Sequence, residues 1–194
     1  MNYTIDTILQ DLKPQMKPER YNHTIGVIFT AANLAYAHHC DSQKAMLAAA
    51  LHDCAKITSI SDYISECKRL EIPIPEYTYE SPHLLHAQIG AKYASTKYKV
   101  YDEEVIHAIH VHTTGCPNMT LLDKILYLAD YIEPGRYPYH GIDKLRYEAY
   151  HDLDYAVYLE ADNVLEYIKS KGFTQDPRTK ETRDFYLDIL NRRN

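Results

Sequence analysis

Apolar residues return at intervals of three and four along most of the 194-residue chain, and no stretch keeps the two-residue alternation of a half-buried strand. Ile5, Ile8, Leu9 and Leu12 predict a short amphipathic helix that stops before Pro14, and Pro18 suits the first turn of a second helix running to about His39. On that second helix Val27, Ala31 and Leu34 share the face of His23, while Ile25, Ile28 and Phe29 cover the far side, so the pattern predicts a central helix, apolar nearly all round. Asp41 and Ser42 are cap candidates for a third, Ala-rich helix that carries His52 and Asp53 at its C-terminal end, with Lys56 one turn further on.

A short polar helix is expected over roughly 61–70, followed by a loop over 71–80, where Pro73 and Pro75 interrupt any period. Ser81-Pro82 reads as a cap and first-turn proline for a helix with His86, Ile89, Gly90 and Tyr93 on one stripe. Asp102-Glu103-Glu104 opens another helix, and its periodicity separates three histidines. His112 falls with Val105, Ala108 and Ile109, whereas His107 and His110 fall on the opposite side, and Gly115 is the natural stop. Thr120-x-x-Asp123 resembles a capping box for a helix that contains Asp130 and breaks at Glu133-Pro134-Gly135. A shorter helix, a longer one to Lys171 with Gly172 as its stop, and a polar last helix to about Arg192 complete an all-α chain. It is expected to form one domain over 1–194, with a core at about 18–135 and C-terminal helices over 142–194 packing on it.

Composition narrows the function by exclusion. Hydrophobic content of 45% and charged content of 25% are those of an ordinary globular protein, and the net charge of −6 speaks against coating a nucleic-acid polymer. Cys40, Cys54, Cys67 and Cys116 are far apart and form no zinc knuckle, which fits reduced thiols. The first residues lack a signal-peptide pattern and no run approaches a membrane span, so a cytoplasmic, membrane-free protein is expected.

Eleven histidines change the picture, because some of them fall on inward faces. The inward polar residues are, in chain order, His23, His52-Asp53, His86, His112 and Asp130. Taken singly, His23, His86 and His112 each read as a core histidine bonded to a carbonyl, and Asp130 as an acid paired with a cation. Together they read as a metal site, since buried imidazoles and carboxylates side by side need compensation. His38, His39, His83, His107, His110, His140 and His151 read as surface or supporting residues. Imidazole and carboxylate donors suit iron, zinc, manganese or nickel. Six protein ligands would close one octahedral ion, so two ions bridged by Asp53, or one ion with some residues holding waters, both remain open. Arg20, Lys56 and Arg136 stand beside these ligand positions as phosphate-binding candidates, with structural ion pairs or a solvated helix end as the plainer reading.

This order of residues resembles the HD-domain metallohydrolases, and more closely their YqeK branch, the symmetrical diadenosine tetraphosphate hydrolases. The resemblance rests on Arg20-Tyr21-x-His23-Thr24-x-Gly26-Val27, Leu51-His52-Asp53-x-Ala55-Lys56, Leu85-His86-Ala87, His112-Thr113-Thr114-Gly115, Ala129 to Arg136, and Pro177-Arg178-Thr179. It implies an HD-type helical fold and cleavage of the central anhydride to two ADP. It also implies iron as the native metal, held by His23, His52, Asp53, His86, His112 and Asp130, with His52, Asp53 and Lys56 catalytic. The nucleotide contacts it implies come from Arg20, His23, Lys56, His112, Thr113, Arg136, Phe173, Thr174, Gln175, Asp176, Pro177 and Arg178. Where the family pattern calls for histidine before Pro177, this chain has Asp176, which bears on a substrate contact and not on the metal site.

Tyr147, Tyr150, Tyr155 and Tyr158 in the C-terminal half suit a core or a subunit interface, and with the resemblance they give an expected homodimer. The alternatives are a nucleotidase or phosphodiesterase acting on another phosphoester, a non-catalytic sensor of dinucleotide or ADP, and a di-iron oxygenase on the same fold.

Overall fold

In the computed structural model, which describes residues 4–56, 59–79, 81–173 and 176–193, every regular element among the described residues is helical. The α-helices are α1 (Ile5–Leu12), α2 (Pro18–Ala37), α3 (Ser42–Leu51), α4 (Ile60–Arg69), α5 (Leu85–Thr96), α6 (Glu103–Val111), α7 (Leu121–Ile132), α8 (Ile142–Ala149), α9 (Leu153–Lys171) and α10 (Pro177–Arg192). No helix among the described residues is long and apolar enough to cross a membrane.

Local chemistry accounts for the helix ends. Asp41, Asp102 and Asp152 each accept from backbone N–H groups in the first turn of α3, α6 and α9. Thr120 and Asp123 form the expected reciprocal box at the start of α7. Gly172 closes α9 at φ of +66°, and Gly115 takes φ of +63° in the turn that follows the α6 cap, a conformation that costs residues with a side chain.

Packing centres on α3 and α7. Ala45, Ala48, Ala49 and Ala50 are fully buried, and their small side chains let α3 lie close against α1, α2, α5, α6 and α7 at once. Ile125, Leu126, Tyr127, Leu128 and Ala129 of α7 are buried in the same core, and α7 also meets α2, α6, α8 and α9. A smaller cluster of Ala55, Tyr63, Cys67, Leu85 and Ile89 fastens α4 onto α5. The C-terminal helices pack in series, α8 on α7 and α9, then α10 on α9.

The structure departs from the periodicity in four places. Helix α2 ends at Ala37, because His38 already closes the last turn and His39 takes a left-handed φ of +57°. Nor is α2 buried all round, since Phe29 is 63% and Tyr36 82% exposed. Single-turn 3-10 segments occupy Glu76–Tyr79, inside the expected loop, and Pro82–Leu84, ahead of α5. His52 and His112 are the capping residues after α3 and α6, so Asp53 and Lys56 lie in the turn beyond α3.

Candidate metal centre

Five elements contribute the inward polar residues. α2 supplies His23, the end of α3 supplies His52 and Asp53, α5 supplies His86, the end of α6 supplies His112, and α7 supplies Asp130. All but His23 are buried, and the His23 side chain is only 9% exposed. The placement at two helix ends has a use: there a histidine Nδ1–H can turn back to a carbonyl of the last turn. His52 donates to Ala49 O at 2.7 Å, His112 to Ile109 O at 2.7 Å, and His86 in the same way to the carbonyl of His83. A carbonyl only accepts, so each of these rings carries a proton on Nδ1 and turns its Nε2 inward.

These inward nitrogens and that of His23 meet. His86 Nε2 and His112 Nε2 are 3.2 Å apart, and His52 Nε2 and His23 Nε2 are 3.4 Å apart. Asp53 lies between the pairs. Its Oδ1 is 3.2 Å from His86 Nε2 and 3.8 Å from His112 Nε2, and its Oδ2 is 3.4 Å from His52 Nε2 and 3.9 Å from His23 Nε2. Asp130 Oδ1 approaches the second pair, 2.9 Å from His23 Nε2 and 3.8 Å from His52 Nε2.

Charge in this cluster is strongly coupled. Burial would push Asp53 up, but His52, Lys56 and a contact from His112 outweigh it and hold the carboxyl well below its ordinary range. Asp130 is held low against its own burial by His23, His52 and Arg136. Burial and the Lys56 charge press His86 down to about 4, so it is neutral at physiological pH with its lone pair free. Burial also lowers His112. For His52 burial lowers the value, and Asp53 more than reverses it.

The donor set fits a divalent metal. Two triads, His23–His52–Asp130 and His52–Asp53–His112, bring one donor atom each within 4.8 Å of one another. Asp53 Oδ1 is buried without a well-formed hydrogen bond, although Lys56 Nζ lies 3.0 Å away, and facing lone pairs without a proton between them repel unless a cation joins them. Cys54, next in sequence, is not part of the set. Its thiol packs under α5, 3.8 Å from Gly90 O.

Two residues outside the expected ligand list hold His23 in place. Glu133 Oε1 lies 3.0 Å from His23 Nδ1, while Gly135 N–H donates to Glu133 Oε2 at 2.6 Å. Gly26 leaves the space that this carboxylate fills. Glu133 stands in the block from Ala129 to Arg136, but nothing in that block marks its contact with His23.

Cations surround the acids. Arg20 Nη1 is 2.7 Å from Asp53 Oδ2, and Arg136 reaches Asp130 Oδ1 at 2.5 Å and the Asp130 carbonyl at 2.7 Å. A cavity of about 670 Å³ opens on the cluster, with His86, Asp130, Lys56 and Arg136 on its wall. Thr113, Phe173 and Asp176 also line it, but Arg20, Pro177 and Arg178 do not. Asp176 caps α10 by accepting from Arg178 N–H at 2.8 Å, and the Arg178 guanidinium folds onto the same carboxylate at 3.2 Å. A phosphate contact from Arg178 would require that pair to open. Thr174 and Gln175 lie outside the described residues.

Known proteins resemble this chain in sequence and fold. The HD domain model matches residues 20–135, which span every residue of the cluster. A symmetrical bis(5'-nucleosyl)-tetraphosphatase of Halalkalibacterium halodurans is 40% identical, over 90% of this chain and 92% of its own length. A protein of the same description from Bacillus subtilis is 38% identical, over 87% of this chain and 89% of its own. A crystal structure from Clostridium acetobutylicum, assigned to the HD superfamily of hydrolases and to NAD metabolism, superposes with a TM-score of 0.93 at 36% identity. It covers 97% of this chain and 100% of its own. The helical fold, the six converging donors and these likenesses agree, and the chain belongs to the HD-domain family, in its branch of symmetrical bis(5'-nucleosyl)-tetraphosphatases.

Proposed function

We infer that this chain hydrolyses diadenosine tetraphosphate at its central anhydride, releasing two ADP. The observation that carries the reading is the convergence of four Nε2 atoms and two carboxylates behind a cavity that His86 and Asp130 of the cluster line together with Lys56 and Arg136. The relatives of the same branch, described as symmetrical tetraphosphatases, support the substrate.

We assign His23, His52, Asp53, His86, His112 and Asp130 as the metal-holding set. Asp53 presents one oxygen to each histidine pair, so it would hold metal together with either pair. The all-nitrogen-and-oxygen donor set suits iron, the metal we favour, over a soft-metal site, with manganese, zinc and nickel as substitutes. When bound, such a metal supplies a water of lowered pKa and a Lewis acid for a phosphoryl oxygen.

The chain's own side chains do the rest. Lys56 and Arg136 flank the cluster and offset the charge of the polyphosphate, the Arg by forked contacts and the Lys as a point charge. Arg20, bound to the far side of Asp53, steadies that carboxylate. In the reaction the water oxygen bonds to one of the two central phosphorus atoms, and the bond from that atom to the bridging oxygen breaks. The second ADP leaves with the bridging oxygen, and the proton passes to solvent.

Helix α9 lines the same cavity through Val164, Tyr167 and Ile168, which supports treating the HD core and the C-terminal helices as one unit. Four free cysteines fit a reducing cytosol, and exposed Tyr147 and Tyr150 fit self-association as a homodimer. Product analysis on metal-reconstituted protein tests the activity. ADP as the sole product is expected, and AMP with ATP, or faster turnover of nucleoside monophosphates, would overturn the assignment.

A further inference from the structure

Symmetric cleavage needs a register: the enzyme must place the central anhydride, and not an outer one, at the metal. The metal-side cavity encloses about 670 Å³. A second cavity of about 620 Å³ adjoins it, and the two share a wall made of Tyr131, Arg136, Val164 and Tyr167. Arg136, on that wall, is also the residue that grips Asp130.

Both cavities carry aromatic rings that the fold leaves open. Phe173, 63% exposed, belongs to the metal-side cavity alone. Tyr137, 91% exposed, belongs to the second alone, and Tyr167, 59% exposed, belongs to both. Flat rings at a cavity mouth are suited to stacking on a nucleobase. Polar groups also line the second cavity, where Glu160 is buried and Tyr139 O–H donates to its Oε2 at 3.0 Å, with Asn163 beside it.

We propose that the second cavity receives the other nucleoside of the dinucleotide, with Tyr137 against its base, Glu160 and Asn163 toward its polar edge, and Arg136 guiding the phosphate chain across the shared wall. This rests on the proposed hydrolysis and supplies the register that hydrolysis requires. With one nucleoside held on each side of Arg136, the bond equidistant from the two ends is the one brought to the Asp53–Asp130 cluster. Burial lifts the Glu160 carboxyl to about 8, so at neutral pH it presents an O–H donor beside a C=O acceptor. Adenine offers the complement, a ring-nitrogen acceptor beside an amino donor.

The test compares two substrates with the same phosphate chain, diadenosine tetraphosphate and adenosine tetraphosphate, on metal-loaded protein. Wild type should prefer the dinucleotide. Asn163→Trp, which fills the second cavity, should raise KM for the dinucleotide about tenfold, the equivalent of one lost base stack, and leave kcat/KM for adenosine tetraphosphate within about twofold. Tyr137→Ala alters an exposed side chain that folding does not need, and should move the same preference by about threefold. Equal losses on both substrates in Asn163→Trp, together with an unaltered Tyr137→Ala, would overturn the assignment, as would unchanged KM values in both variants. A wild type that releases no ADP from the dinucleotide would sink the functional reading as well, so the two failures are told apart.

Discussion

The carboxylate of Glu133 occupies the space that any side chain at Gly26 would need: a Cβ there would lie 2.4 Å from Glu133 Oε2. The carboxylate cannot swing away without loss, because His23 Nδ1 and Gly135 N–H hold its two oxygens at 3.0 and 2.6 Å. Gly26→Ala should therefore free His23 from its support and lower metal affinity by about 10–100-fold, the range for losing a partner that orients a metal-bound histidine. Competition with a chelator checks this, with circular dichroism to confirm that α2 persists. Unchanged affinity would mean that Glu133 does not orient the ring.

Among the described residues, Asp53 alone turns its two oxygens toward both histidine pairs. Asp53→Ala should abolish metal content and activity together, since it also leaves Arg20 and Lys56 without their carboxylate, and their uncompensated charge opposes a cation. A metal-replete, active variant would remove Asp53 from the centre.

Arg136→Ala should behave differently. Its guanidinium contacts Asp130, but a bound cation compensates that acid, so metal content should survive. What is lost is the cation between the two cavities, and KM for the dinucleotide should rise about tenfold or more, as expected for losing a charge-assisted contact to phosphate. Metal analysis beside steady-state kinetics separates the outcomes. Loss of metal would make Arg136 a structural partner of Asp130 and not a substrate contact.

Much of this centre is legible in the chain because its ligands come from helices. Period 3.6 places His112 with Val105, Ala108 and Ile109 and turns His107 away, and in the structure His112 is fully buried while the His107 side chain is half exposed and pairs with Asp123. The same arithmetic misleads at Phe29, because an apolar residue counts toward burial whether or not another helix covers its face. Glu133 escaped it for a different reason: past the last turn of α7 no period applies, and only the contact to His23, 110 positions earlier, reveals its use. Arg178 stands in a motif that suggests phosphate, yet Asp176 draws it back as a neighbour of the α10 cap. The second cavity depends on where the 133–140 turn settles against α9, a tertiary fact that no local pattern encodes.

Glu160 should leave a signature in stability against pH. Its carboxyl is surrounded by the Tyr139 phenol, Asp130, Arg136 and Asn163, and burial dominates, raising it from 4.5 to about 8. The unfolded chain releases this proton near 4.5, whereas the folded chain keeps it to about 8, so between those values the folded state binds more protons. Stability from this group is thus full at low pH and falls as pH rises through that window, by a few kcal/mol in all. Glu160→Gln keeps a donor and an acceptor at the site but cannot ionise. Its advantage in Tm over wild type should open above about pH 4.5, widen with pH at roughly 2–4 °C per kcal/mol, and level off beyond about 8. Groups common to both proteins cancel in the difference, so melting curves of the pair across this range isolate Glu160. A difference that stays flat with pH would mean that Glu160 is already ionised in the folded chain, and the donor assigned to it toward the nucleoside would then have to come from Asn163 alone.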